Sequence, residues 1–163
     1  MKHLIALALV ATTGLAAAST QDPTVSLSTG YIAGVTRGAV SYDFNEHHFN
    51  RYFSVVPEAT LGYMRDNATD DHSLEVNINP QFRGYVTPNL YAELGVGIAY
   101  FNNPAFASPS INTRFQFSDI AGVGYKLSPK TAVGVRYEHF SNADIRKPNP
   151  GVQALELIVS KKF

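Results

Sequence analysis

The chain has 163 residues, with 13 Lys and Arg balanced by 13 Asp and Glu, and no cysteine. Zero net charge removes the basic face that broad nucleic-acid binding needs. The missing thiols exclude a disulfide scaffold, a cysteine nucleophile and a thiolate zinc site. Charged residues make up 16%, against a usual ~25%, and aromatics, all Tyr and Phe, make up 12% beside 12 Gly, a composition that leans towards an all-β protein with an apolar surface.

The first residues read as a targeting signal. Met1-Lys2 is positive, residues 4–10 are a short apolar run, and Ala16-Ala17-Ala18 has the small side chains of a cleavage site. A secretory signal peptide over 1–18 leaves one domain over 19–163. The run is too short for a membrane-spanning helix, and no later stretch approaches the ~18 apolar residues that such a helix needs. Export without cysteine fits a bacterial envelope protein.

From there the chain alternates with a period of two between turn residues. Candidate strands are 24–34, 35–44, 52–64, 73–86, 89–101, 112–127, 131–141 and 152–163. Segment 73–86 alternates most clearly. Leu74, Val76, Ile78, Pro80, Phe82 and Val86 lie on one face, and Ser73, Glu75, Asn77, Asn79, Gln81 and Arg83 on the other. Segment 89–101 repeats the pattern with Leu94, Val96 and Ile98 against Glu93, Gly95 and Gly97.

A soluble sandwich also alternates, but three features favour a membrane barrel. The segments run to about 10–14 residues, against ~5–6 for an ordinary strand. The polar face mixes Gly and Ala with both signs of charge (Glu58, Glu75, Glu93, Glu138, Arg83, Arg136), which suits a packed lumen. The last strand ends on Phe163, in phase with Leu155, Leu157 and Val159, like the assembly signal of outer-membrane barrels. Eight is also the smallest common strand number for such a barrel. Its lumen is filled by side chains and makes no pore. The tight turns at 87–89 and 128–130 belong on the periplasmic side, and the longer polar stretches 65–72, 102–111 and 142–151 outside.

Polar residues on the lipid-facing parity need a reason, because a charge near mid-membrane costs roughly 2–4 kcal/mol. Asp119, His139, Ser141 and Gln153 are such outliers, and all lie towards the outer ends of their strands. Pairing Leu127 with Thr131 across the 128–130 turn sets Asp119 opposite His139. A slip of two residues would set it opposite Tyr137 or Ser141. In each register a carboxylate stands beside a hydroxyl and an imidazole, the arrangement of nucleophilic acyl transfer. The competing reading is a polar girdle at the membrane interface.

The stretch Tyr137-Glu138-His139-Phe140-Ser141-Asn142-Ala143, followed by Pro148-Asn149-Pro150-Gly151, resembles PagL, the family of outer-membrane lipid A 3-O-deacylases. The likeness extends back through Phe117-Ser118-Asp119, Gly122-Val123-Gly124 and Glu93-Leu94-Gly95-Val96-Gly97, and more loosely over most of the chain. The resemblance implies an eight-stranded barrel with a site open sideways to the outer leaflet. It implies a serine esterase that hydrolyses the ester of the 3-hydroxyacyl chain at position 3 of lipid A, without metal or organic cofactor. Ser141 would be the nucleophile and His139 the base, with Asn142, Asn149 and backbone N–H groups after Ser141 as oxyanion candidates. The family's acidic triad position, two residues past the motif glycine, is Gln153 here. Either Gln153 orients His139 as a neutral acceptor or Asp119 supplies the acid across the hairpin. Glu156 is the nearest other carboxylate, but its parity points into the lumen. The expected partners are lipid A and the outer membrane, with no nucleic acid; a homodimer is left open, as is acyl-chain preference. The alternatives are a non-enzymatic barrel of the adhesion or stress type and an esterase acting on other membrane lipids.

Lesser signals are read plainly. Glu46-His47-His48 lacks a third metal ligand and reads as solvated turn residues. Asn67-Ala68-Thr69 matches a glycosylation sequon by coincidence. Lys161 is expected to snorkel to the periplasmic head groups.

Overall fold

The computed structural model describes residues 23–163, so the expected signal peptide lies outside the described residues. Nine strands follow: β1 (Thr24–Ile32), β2 (Val35–Asp43), β3 (His47–His48), β4 (Phe53–Asp66), β5 (His72–Tyr85), β6 (Leu90–Phe101), β7 (Phe115–Ser128), β8 (Thr131–Ser141) and β9 (Val152–Lys162). The eight long strands pair antiparallel in sequence order. β2 pairs with β4, and β9 pairs with β1, which closes the barrel. Closure leaves no long sheet edge unpaired, as a spanning sheet requires.

Alternation sets the two faces. Leu94, Val96 and Ile98 of β6 point outward and are exposed, while Tyr91, Glu93 and Ala99 are buried. An apolar belt of this extent on the outside fits hydrocarbon, not water.

The lumen is packed with paired charges. Arg37 meets Glu75, Glu138 at 3.0 Å and Glu156 at 2.5 Å. Arg136 meets Glu58 and Glu93, each at 2.9 Å, and Arg83 meets Asp43 at 3.2 Å and Glu93 at 3.3 Å. Burying such ions is costly unless each is paired and hydrogen-bonded. Neutral donors take up part of the excess negative charge: Asn77 Nδ2 and Ser118 Oγ both donate to Glu138 Oε1, at 2.6 and 2.7 Å.

Towards the loop end the filling turns apolar. Phe101 stacks on Phe106 at 5.8 Å between ring centroids and meets Phe140 edge-on at 5.2 Å. Ile111, Met64, Val35 and Val152 complete this plug. Phe106 and Ile111 come from the β6–β7 loop, which folds into the barrel mouth. That fold corrects the expected start of the strand at 112. Asn112 has a φ of 64°, and β7 begins only at Phe115. Gln116 Nε2 donates to the Ile111 and Thr113 carbonyls, at 3.2 and 2.6 Å, and holds the chain off the ladder.

Two other local expectations change. Leu127 does not pair with Thr131: a bulge between Lys126 and Ser128 pairs Ser128 with Thr131 instead. The bulge absorbs one residue, so the register above it is the one expected. Glu46 is also no solvated turn residue. It accepts hydrogen bonds from Ser54 Oγ at 2.6 Å and from the Tyr85 hydroxyl. Burial works against its charge, but those two bonds and the nearby Arg83 and Lys126 cations hold the carboxyl below its ordinary value,. His47 and His48 remain exposed on β3. Asn67 of the sequon-like triplet donates to the Gly34 carbonyl at 2.8 Å and pins the β1–β2 turn.

Candidate active site

The site is a row across three neighbouring strands. Asp119 of β7 faces His139 of β8, and His139 faces Gln153 of β9. Ser141 lies two residues beyond His139 on the same outward face, opposite Phe117. The structure thus brings Asp119, His139, Ser141 and Gln153 together in the unslipped register. Directly opposed Cβ atoms in such a ladder are ~4.5–5.5 Å apart. Asp119 is exposed, and the other three are partly buried.

Among the described residues only Gln153 touches the imidazole through a hydrogen bond: its Nε2 stands 3.3 Å from His139 Nδ1. The amide oxygen and nitrogen are interchangeable by a half-turn, and with Oε1 turned to the ring Nδ1–H donates to it and the His139 Nε2 lone pair is left free. Neither the Ser141 hydroxyl nor the Asp119 carboxylate bonds to the ring.

The chain after Ser141 turns sharply, with Ala143 and Asp144 at φ of 50° and 61°. Asn142 ties this turn together and is buried. Its Nδ2 donates to the Arg146 carbonyl at 3.0 Å and to the Ile111 carbonyl at 3.4 Å. Its Oδ1 accepts from Arg146 N–H at 3.3 Å, and its own N–H donates to Asn149 Oδ1 at 3.1 Å. Asn112 Nδ2 donates to the Pro148 carbonyl, so the plug loop braces the site loop. The bracing by Ile111 and Asn112 has no sequence signature beyond the apolar Phe106 and Ile111 in an otherwise largely polar loop.

Neither of the two described cavities is lined by the row. The 660 Å³ cavity lies at the opposite end of the barrel, lined by Asp43, Glu46, Arg83, Lys126 and Lys130 among others, and shares no residue with the site. Asp119, His139, Ser141 and Gln153 instead open sideways onto the apolar outer surface, beside Phe117, Tyr137 and Leu155. A hydroxyl, an imidazole and a carboxylate at such a place can carry out acyl transfer on an ester that lies in a lipid layer.

The model of the lipid A 3-O-deacylase (PagL) family matches residues 16–162. Lipid A deacylase PagL of Bordetella bronchiseptica is 38% identical over 92 residues, which are 56% of this chain and 52% of that protein. Lipid A deacylase PagL of Pseudomonas aeruginosa is 33% identical over 67 residues, 41% of this chain and 39% of that protein. The matched stretches therefore span about half or less of these two relatives. Among solved structures, the outer membrane enzyme PagL superposes with a TM-score of 0.70 at 22% identity, over 86% of this chain and 99% of that one. The N-terminal β-barrel domain of Pseudomonas aeruginosa OprF does so with a TM-score of 0.64 at 14% identity, over 88% of this chain and 98% of that one. These superpositions show the shared barrel, and the family match adds what the barrel alone does not: the chain belongs to the lipid A 3-O-deacylase (PagL) family.

Proposed function

We propose that the protein is an outer-membrane serine esterase that removes the 3-hydroxyacyl chain from position 3 of lipid A. The observation that carries this reading is the outward row Asp119–His139–Gln153 with Ser141 beside it, set on the lipid-facing surface of a barrel of this family. A barrel that only adheres or signals stress has no use for these four polar groups against lipid.

His139 Nε2 takes the proton of Ser141 Oγ as that oxygen attacks the ester carbonyl. The Asn142 N–H is committed to Asn149 Oδ1, so the resulting oxyanion is held by the next backbone N–H, that of Ala143, and by Asn149 Nδ2. His139 then returns the proton to the departing sugar oxygen. A water, deprotonated by the same Nε2, hydrolyses the acyl-serine and frees the 3-hydroxy acid. Gln153 fixes the ring's tautomer, and Asp119 offsets the imidazolium charge from the other flank. Asn142 acts as the clamp of the loop, because its amide is already committed to Arg146 and Ile111. All of these groups come from one chain, so the reaction does not require a homodimer.

The test is mass spectrometry of lipid A from an outer-membrane-competent host expressing the chain. The expected product lacks one 3-hydroxyacyl mass from the 3-O position. Unchanged lipid A beside a folded barrel in the membrane would overturn the assignment in favour of another lipid ester or a barrel without activity.

The clamp role makes a separate prediction. Asn142→Ala removes several hydrogen bonds worth ~1 kcal/mol each and loosens the turn after the nucleophile. Turnover is expected to fall about tenfold, with the heat-modifiable electrophoretic shift of the folded barrel unchanged. A variant as active as the parent would return the clamp to a passive role.

A further inference from the structure

We propose that Gly151 is a positioning residue that seats the His139 imidazole. The proposal rests on the reading of His139 as the base. A Cβ placed on Gly151 would lie 2.6 Å from His139 Cε1, 3.2 Å from Nε2 and 2.9 Å from the Phe140 carbonyl oxygen. The Phe140 carbonyl cannot give way, because Phe140 is paired with Val152 in the ladder. The ring is the part that must move. Its Cε1–Nε2 edge therefore lies directly over the Gly151 backbone, while its Nδ1 meets the Gln153 amide at 3.3 Å. One short segment, 151–153, thus holds the imidazole from two sides. The edge that Gly151 supports carries Nε2, the atom that must meet the Ser141 proton.

Three demands for glycine coincide here: the backbone, with a φ of 66° at Gly151, the ring, and the Phe140 carbonyl oxygen 2.9 Å from an added Cβ. Gly34 separates them, because it has a φ of 85° but nothing within 4 Å of an added Cβ. Gly34→Ala therefore imposes the backbone strain alone. Asn tolerates a left-handed φ better than Ala, so Gly151→Asn relieves much of the strain yet keeps the Cβ against the ring.

The experiment compares Gly151→Ala, Gly151→Asn and Gly34→Ala in detergent-folded full-length barrels. Readouts are kcat and KM on lipid A, and the His139 ring resonance of ¹³C-histidine-labelled protein, assigned with His139→Asn. A ring displaced by about 1 Å is expected to lower kcat ~100-fold. Both Gly151 variants should show that loss with KM little changed and with a shifted His139 resonance, and Gly34→Ala should show neither. Retention of kcat within threefold in Gly151→Asn, or an equal loss in Gly34→Ala, would overturn the proposal. If the parent barrel leaves lipid A intact, the deacylase reading fails and the resonance alone decides: an unmoved His139 signal in Gly151→Asn then rejects the seat as well.

Discussion

Ser141→Ala is expected to lower lipid A deacylation by on the order of 10⁴-fold or more while leaving the barrel folded. Ser141 closes β8, and no hydrogen bond among the described residues uses its hydroxyl. Removing one oxygen there takes nothing from the ladder or from the charge network of the lumen. What it removes is the hydroxyl proposed to form the acyl-enzyme. On the proposed mechanism His139→Asn should give a loss of the same order, because a nucleophile and its base act as one unit and their deletions do not add. The double variant should therefore be no worse than either single one. Oxyanion donors and lipid binding survive in all three and set a residual rate above that of water. Single-turnover release of the 3-hydroxy acid measures the effect, and heat-modifiable migration checks the fold. Full activity in Ser141→Ala would remove the serine from the mechanism.

The barrel was legible because its constraint is strict. A strand with one face in lipid and one in a packed lumen cannot change parity without exposing a charge to hydrocarbon. Residues 73–86 show this constraint in nearly every position, and β5 spans His72–Tyr85. The same parity rule placed Asp119 opposite His139, and the ladder has that pair. It misplaced Leu127, because a bulge beside a turn is set by local backbone geometry that alternation does not record. Loops carry no period at all. The burial of Phe106 and Ile111 and the hydrogen bonds of Asn142 therefore appear only in three dimensions. Glu46 shows the same gap: next to two histidines it reads as a solvated turn, yet Ser54 and Tyr85, distant in sequence, hold its carboxylate. The motif around Ser141 named candidate site residues by type but could not say which of them spend their polar atoms on the loop.

The flanks of His139 should prove unequal and coupled. Gln153 can accept the Nδ1 proton and fix the tautomer, but as a neutral amide it does nothing for the positive charge that forms on the ring. Asp119 carries that charge's complement from β7, without a hydrogen bond to the ring in this structure. Asp119→Asn is thus expected to lower kcat about 10–100-fold. The double variant Asp119→Asn/Gln153→Ala, which leaves the imidazole with neither acceptor nor counter-charge, should lose about 10³–10⁴-fold, the scale seen when a triad histidine is left in the wrong tautomer. Gln153→Glu places a carboxylate at hydrogen-bond range of Nδ1 and should raise kcat. In that background Asp119→Asn should cost less than it does beside Gln153, since the imidazolium is already neutralised. If Asp119→Asn leaves the rate unchanged, Asp119 has no electrostatic role and the site works as a nucleophile and base with a neutral third member.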